Sequence, residues 1–170
     1  PISGRIKKSL FDILTGLLPD AKFLDLFAGT GAVGIEALSR GAAFAFFIEM
    51  DKRCLELITR NLAAAGFADK GKAHFGNALS DMSWVSFRSG VDKYDLIYMD
   101  PPYKDLDKRP LAYSTPALAQ VCAAGLLAPK GWAICQHHVK EDVQAPAGWA
   151  MVRREKYGDS NLSFFRPQTP

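Results

Sequence analysis

The chain has 170 residues, of which 48% are hydrophobic and 23% charged, a composition that fits a folded globular domain and excludes a disordered chain. This length is enough for one well-buried domain and short for two. Three widely spaced cysteines exclude a disulfide framework and a CxxC metal site, and no apolar run reaches membrane-spanning length. We therefore expect a cytoplasmic, monomeric protein without a metal or membrane partner. The net charge of +3 is a weak indication of a polyanionic partner.

Hydrophobic periodicity predicts helices and strands that alternate along the chain. The predicted helices cover residues 6–17, 31–40, 51–65, 79–87 and 111–124. The predicted strands cover residues 22–27, 44–49, 72–76, 94–100 and 132–138. Two more strands, 151–157 and 162–166, flank Gly158-Asp159-Ser160-Asn161, which has the residue types of a hairpin turn.

Strands that alternate with helices predict a mostly parallel, doubly wound sheet with helices on both faces. The last two strands have no helix between them, so we expect an antiparallel strand at an edge of this sheet. The chain shows no internal repeat, low-complexity tract or linker. The sequence therefore predicts a single α/β domain over residues 1–170, with seven strands of which the last is antiparallel.

A glycine-rich turn connects the first predicted strand to the helix that follows. Gly29, Gly31 and Gly34 have the GxGxxG spacing, which lets a ligand approach the backbone N–H groups at a helix N-terminus. Glu49 ends the next strand about 20 residues further on, where an acid can accept hydrogen bonds from ribose hydroxyls. The pattern fits NAD, FAD or S-adenosylmethionine, and a tight turn without any ligand also remains open.

Asp25 lies inside the first predicted strand, four residues before Gly29. A carboxylate in a buried strand is costly unless it is hydrogen-bonded or meets a cation. S-adenosylmethionine carries an ammonium and a sulfonium near this turn, whereas NAD presents an anionic pyrophosphate, so Asp25 favours the first cofactor. The alternative is that its carboxylate accepts hydrogen bonds from the N–H groups of the loop itself.

The fourth predicted strand ends in Asp100-Pro101-Pro102-Tyr103, where ligands bind in open α/β sheets. The two prolines stiffen the backbone and leave carbonyl groups as acceptors, and Tyr103 offers a flat face on which a flipped base can stack. Hydrogen bonds from an exocyclic amine to Asp100 and a carbonyl would direct the nitrogen lone pair toward a methyl donor and stabilise the developing positive charge.

These motifs together resemble a known class of enzymes. Asp25-Leu26-Phe27-Ala28-Gly29-Thr30-Gly31 with Asp100-Pro101-Pro102-Tyr103 is similar to the S-adenosylmethionine-dependent methyltransferases that modify exocyclic amines. Glu36-Ala37-Leu38-Ser39-Arg40-Gly41-Ala42 and Tyr157-Gly158-Asp159-Ser160 resemble more specific signatures of the RsmD-like 16S ribosomal RNA guanine-N2 methyltransferases. The first eleven residues are similar to the N-terminal segment of that family, except that Ile2 and Gly4 replace its usual Thr and Asp. A short basic β-hairpin usually precedes this segment, so we expect part of the RNA-binding surface to lie before Pro1.

The resemblance implies a Rossmann-like class I methyltransferase that uses S-adenosylmethionine, releases S-adenosylhomocysteine and acts on ribosomal RNA, free or in a small subunit. It implies that Asp100, Pro101, Pro102 and Tyr103 hold the target guanine. The implied cofactor residues are Asp25, Phe27, Ala28, Gly29, Thr30, Gly31, Glu49, Met50, Asn77 and Ala78. The implied RNA-contacting residues are Ser3, Arg5, Lys7 and Lys8.

Other functions stay open on the residues alone. The same Asp-Pro-Pro-Tyr site occurs in DNA adenine-N6 methyltransferases, and other amine acceptors or a non-catalytic cofactor-binding subunit are possible. Hydride transfer with NAD ranks last, because Asp25 and the Asp-Pro-Pro-Tyr turn have no role in it. His74, His137 and His138 have no partner at metal-ligand spacing, so we interpret them as ordinary strand residues.

Overall fold

The computed structural model describes residues 2–169 as alternating strands and helices. The helices are α1 (Gly4–Leu14), α2 (Ala32–Ser39), α3 (Lys52–Ala64), α4 (Val85–Ser89) and α5 (Ser114–Ala123), and a 3₁₀ turn (Thr15–Leu17) extends α1. The strands are β1 (Lys22–Leu26), β2 (Phe44–Glu49), β3 (Gly71–Phe75), β4 (Tyr94–Met99), β5 (Leu127–His138), β6 (Trp149–Tyr157) and β7 (Ser160–Pro167). No described helix has the length and apolar character needed to cross a membrane.

The seven strands form one sheet in the order β3-β2-β1-β4-β5-β7-β6. Strands β1 to β5 are parallel, and β7 runs antiparallel to both β5 and β6. The predicted doubly wound α/β sheet with an antiparallel last strand is confirmed.

The prediction that this antiparallel strand lies at an edge is wrong, because β7 is inserted between β5 and β6. The burial of the two strands explains their order. Leu162, Phe164 and Phe165 on β7 are buried on both faces of the sheet, as an inner strand requires. The charged run of β6 is suited to an edge.

Several predicted boundaries differ from the structure, and three of these differences concern the fourth helix, the first helix and the fifth strand. The fourth predicted helix, 79–87, is reduced to Val85–Ser89, because Asn77 and Asp81 accept hydrogen bonds from backbone N–H groups two residues ahead and so favour turns over helix. The first helix begins at Gly4, where the Ser3 side chain caps it by accepting from the N–H of Ile6. The fifth strand, predicted over 132–138, begins at Leu127 and includes a Pro-Lys-Gly segment.

Hydrophobic side chains cover both faces of the sheet. Leu10, Phe11 and Leu14 of α1 pack on the face that also carries Phe23 and Phe47. The opposite core contains residues from α4, α5 and the alternate positions of β1, β2 and β4. Because both faces are covered, ligands have access at the carboxyl ends of the parallel strands, where β1 and β4 are neighbours.

Candidate functional site

The glycine-rich turn follows β1 and has an unusual backbone conformation. Phe27, Gly29 and Gly31 take positive φ angles of 57°, 58° and 82°, which glycine adopts easily and phenylalanine rarely does. A Cβ atom on Gly34 would lie 2.3 Å from Cε2 of Phe47 on β2. The first two glycines therefore shape the turn, and the third lets α2 pack closely against the sheet.

Asp25 is only 2% exposed, and its Oδ2 accepts a hydrogen bond from the N–H of Gly34 at 3.1 Å. The structure thus shows the alternative that the sequence left open, in which the carboxylate caps the loop and the start of α2. Burial raises the pKa of Asp25 well above its usual value, and the negative charges of Asp100 and Glu49 raise it further. A contact between Asp25 and the methionine part of a cofactor stays a prediction.

Glu49 joins two turns at the carboxyl end of the sheet. Its Oε1 accepts from the N–H of Gly29 at 2.9 Å, and its Oε2 accepts from the N–H groups of Met50 and Asp51 at 2.9 and 2.8 Å. A carboxylate has about four acceptor positions, so these bonds leave about one for a ribose hydroxyl. The bond to Gly29 gives Glu49 a role in loop structure that the sequence did not predict.

A cavity of about 500 Å³ opens beside these turns, which is large enough for a nucleoside-sized ligand. Its walls are formed by Phe27, Ile48, Glu49, Met50, Gly76, Asn77, Ala78, Leu79, Asp100, Pro102 and Tyr113. The wall combines apolar surface with two acids and an amide, which offer acceptors for ribose hydroxyls and both a donor and an acceptor for the edge of a base. Five predicted cofactor residues line it; of the other five, Asp25 lies on β1, and Ala28, Gly29, Thr30 and Gly31 belong to the turn that follows. Four lining residues, Ile48, Gly76, Leu79 and Tyr113, were not predicted from the sequence.

A second cavity, of about 410 Å³, lies between the start of α1 and the ends of β4, β5 and β7. Its lining residues are Ser3, Ile6, Asp100, Pro101, Pro102, Tyr103, Gln136 and Ser160. Asp100 and Pro102 belong to both cavities. The Asp-Pro-Pro-Tyr motif therefore forms a wall that the two cavities share.

The electrostatic environment of Asp100 differs from that of an ordinary surface acid. Burial raises the pKa of its carboxyl to about 6. It remains mostly ionised at neutral pH, because this pKa lies below 7. An ionised carboxylate at the boundary of two cavities can accept hydrogen bonds from a neutral amine in one of them and can attract a cation in the other.

Tyr103 is held by hydrogen bonds to residues that are distant in sequence. Gln136 Nε2 donates to the Tyr103 hydroxyl at 3.1 Å, and Ser160 Oγ lies 3.4 Å from the same oxygen. Behind them, the Tyr98 hydroxyl donates to Gln136 Oε1 at 2.9 Å. The roles of Tyr98 and Gln136 were not predicted from the sequence. A polar residue such as Gln136 inside a buried strand could have indicated them.

The predicted RNA-contacting residues do not all lie at the second cavity. Ser3 lines it, whereas Lys7 and Lys8 lie on α1 and pair with Glu36 and Asp12 at 3.4 and 2.9 Å. The guanidinium of Arg5 lies 5.8 Å from the centre of the Tyr157 ring. The part of the chain that the structure describes has no group of three or more His, Cys, Asp or Glu residues that could hold a metal ion.

The sheet order, the glycine-rich turn and the paired cavities define the Rossmann-like fold of class I methyltransferases. The family model described as conserved hypothetical protein 95 matches residues 1–166. The chain belongs to this family, the RsmD-like family of S-adenosylmethionine-dependent methyltransferases.

Individual relatives agree with this assignment. Ribosomal RNA small subunit methyltransferase D of Escherichia coli K12 is 32% identical over 165 residues, which cover 93% of this chain and 74% of that protein. The enzyme of the same name from Buchnera aphidicola is 24% identical over 85% of this chain and 78% of its own length.

Solved structures show the same fold. A candidate methyltransferase from Escherichia coli superposes with a TM-score of 0.78 at 28% identity, over 99% of this chain and 87% of that one. An RNA methyltransferase from Salinibacter ruber, solved with S-adenosylhomocysteine, superposes with a TM-score of 0.69 at 14% identity, over 100% and 95% of the two chains. The second likeness concerns the fold alone.

Proposed function

We propose that this protein transfers a methyl group from S-adenosylmethionine to the exocyclic N2 of a guanine in small-subunit ribosomal RNA. The observation that carries the proposal is the Asp100–Tyr103 wall, which borders both a cofactor-sized cavity and a second cavity. The names of the relatives, which act on ribosomal RNA, support the acceptor class.

The first cavity would hold the cofactor. Glu49 would accept from a ribose hydroxyl, Met50 would cover the adenine, and Asn77 and Ala78 would contact its edge, with Phe27 nearby. The turn from Ala28 to Gly31, together with Asp25, would bind the methionine part. When bound, the cofactor supplies an electrophilic methyl group with a good leaving group, so no covalent intermediate with the protein is needed.

The second cavity would hold the target base. Its wall contains the Asp100 carboxylate and the Tyr103 ring, which offer an acceptor for the amine protons and a stacking surface. A guanine amine is a poor nucleophile because its lone pair is conjugated with the ring. Hydrogen bonds to Asp100 and to a carbonyl of the Pro-Pro segment would turn that lone pair out of conjugation, and Asp100 would stabilise the positive charge that develops on nitrogen.

The basic residues near the two ends of the chain support an RNA partner. Arg153, Arg154 and Lys156 lie exposed on β6, and the hydrogen bond between Ser9 and Tyr157 joins this strand to α1, which carries Arg5. Clustered cations favour a nucleic-acid backbone. We propose that a monomer acts in the cytoplasm on ribosomal RNA, free or in the small subunit.

The first test is a calorimetric titration with S-adenosylhomocysteine, beside a titration with NADH. We expect saturable binding of the first and no binding of the second. Binding of NADH alone would contradict the methyltransferase assignment, and binding of neither would show that the cavity requires a further segment or RNA.

The second test compares methyl acceptors at equal nucleotide concentration. Small-subunit ribosomal RNA, free and in small subunits, is compared with duplex DNA by transfer of a radioactive methyl group, followed by nucleoside analysis. We expect N2-methylguanosine from RNA. N6-methyladenine from DNA would instead support the competing function that uses the same Asp-Pro-Pro-Tyr site.

A further inference from the structure

Buried polar side chains form a row beneath the second cavity. Tyr98 on β4 is 1% exposed and Gln136 on β5 is 4% exposed. Both residues project from the sheet face that packs against α1, as do their neighbours Asp25 and Ile134. A buried polar group costs free energy unless it is hydrogen-bonded. Here Tyr98 bonds Gln136, and Gln136 bonds Tyr103.

The hydrogen bonds of this row have a defined polarity. Tyr98 donates to the Gln136 carbonyl oxygen, and the Gln136 amide nitrogen donates to the Tyr103 hydroxyl. The Tyr103 oxygen accepts this bond, and Ser160 Oγ lies 3.4 Å from the same oxygen, where either hydroxyl can be the donor. The Tyr103 ring is therefore linked to two inner strands, β4 and β5, and to the start of β7.

We propose that Gln136 is a positioning residue that holds Tyr103 in the orientation in which it stacks on the acceptor base. This inference rests on the proposed function, because it assigns the second cavity to a base. Tyr103 belongs to a turn, and turns move more than strands do. A bond from the inner strand β5 restricts the ring before the acceptor arrives, which lowers the ordering cost of binding and keeps the amine aligned.

The test compares two leucine substitutions on adjacent residues of β5. Gln136→Leu keeps a similar volume and removes the bonds to Tyr98 and Tyr103. His137→Leu is the matched control, because His137 is 0% exposed and bonds Ser163 Oγ at 2.7 Å on the opposite face of the sheet. Both variants lose a buried polar contact, so thermal unfolding separates general destabilisation from a specific effect.

We expect Gln136→Leu to lower kcat for RNA methylation by roughly ten- to a hundredfold and to leave the Kd for S-adenosylhomocysteine unchanged. His137→Leu should lose thermal stability and keep kcat. In the Tyr103→Phe background, Gln136→Leu should have no further effect on kcat, because its action passes through the Tyr103 hydroxyl. Multiplicative effects of the two substitutions, or an equal loss of kcat in the control, would overturn the inference.

A second readout needs no RNA. In protein labelled with ¹³C at tyrosine Cζ, the Tyr103 resonance is assigned by its disappearance in Tyr103→Phe. Gln136→Leu should shift this resonance and His137→Leu should not, and an unchanged resonance in Gln136→Leu contradicts the inference. If the wild-type protein methylates no RNA, the proposed function fails, and this measurement alone decides whether Gln136 positions Tyr103.

Discussion

Asp25 on β1 and Asp100 at the end of β4 lie on neighbouring strands at the same end of the sheet, yet their carboxylates have different surroundings. Asp25 is fully buried and accepts from the N–H of Gly34. Glu49, the last residue of β2, accepts hydrogen bonds from three backbone N–H groups. No hydrogen-bond donor within residues 2–169 reaches the Asp100 carboxylate, which faces the two cavities.

The two turns therefore have different roles within one site. The turn after β1 is stabilised by hydrogen bonds to acids on β1 and β2, so it can form before any ligand binds. The turn after β4 presents a carboxylate that accepts from no donor within residues 2–169 and borders two cavities, and burial raises the pKa of this group. Substitutions at the turn after β1 should therefore mainly lower the free energy of unfolding, whereas substitutions at Asp100 should mainly lower the rate of methylation.

The largest effect is expected at Asp100. Asp100→Ala removes the proposed acceptor for the amine, so the rate of RNA methylation should fall by roughly 10²–10³-fold, as for loss of one preorganised group at a reacting centre. The Kd for S-adenosylhomocysteine should change far less. The control is Asp107→Ala in the exposed loop that follows, where the carboxylate pairs with Arg109 at 3.2 Å. Methylation at the wild-type rate in Asp100→Ala would refute the catalytic role of this residue.

Gly29 in the turn after β1 and Gly34 in α2 have different reasons to be glycine. Gly34→Ala places a methyl group 2.3 Å from the Phe47 ring, so the free energy of unfolding should fall by roughly 1–3 kcal/mol. Gly29→Ala meets no atom within 4 Å, and its cost comes from a φ of 58° alone, about 1 kcal/mol. Chemical denaturation measures both values. Partial recovery in Gly34→Ala with Phe47→Leu would confirm that the ring is the cause, whereas no loss in Gly34→Ala would contradict the packing argument.

The pKa of Asp100 leads to a pH-dependent prediction for activity. If the ionised Asp100 carboxylate accepts the amine protons as proposed, kcat/KM should fall as the pH is lowered through about 6, approaching a tenfold loss per pH unit below that value. Rate measurements from pH 5 to 8 with saturating cofactor provide the test. A profile that is flat across pH 6 would show that the charge of Asp100 is not required.

The same raised pKa predicts a smaller effect on stability. Stability should fall as the pH rises, whereas activity should fall as the pH is lowered. The folded-state pKa of Asp100 lies above its usual 3.8, so its contribution to stability is fully present below about pH 4 and is lost as the pH rises through about 6. Asp100→Asn removes this loss and should stabilise the fold by roughly 1–2 kcal/mol at pH 8, with no difference at pH 3.5–4. A variant that is less stable than the wild type at pH 8 would contradict the assigned cause.

Local sequence patterns predicted the parts of the site that depend on local chemistry. The glycine spacing placed a turn after β1, and the Asp-Pro-Pro-Tyr segment was placed correctly at the end of β4, because strand-to-turn transitions are marked by apolar runs and by Gly and Pro. The same patterns failed between Asn77 and Trp84, where side-chain hydrogen bonds to the backbone compete with a helical pattern.

Long-range contacts of the site were beyond these patterns. Tyr103, Gln136 and Ser160 are brought together by the order β4-β5-β7, and the position of β7 between β5 and β6 is set by packing on both faces. The link between Glu49 and Gly29 likewise depends on the pairing of β1 with β2. The sequence suggested which residue types the site requires, and tertiary structure decided which of them meet.

The placement of β6 at the edge of the sheet has a consequence for how molecules of this protein meet one another. An edge strand exposes unpaired backbone groups that can join the sheet of a second molecule. Here the exposed edge carries Arg153, Arg154, Glu155 and Lys156 in succession, and two such strands approaching each other would bring like charges together. The charged run therefore protects the sheet from edge-to-edge aggregation, a risk that β7 avoids because it lies inside.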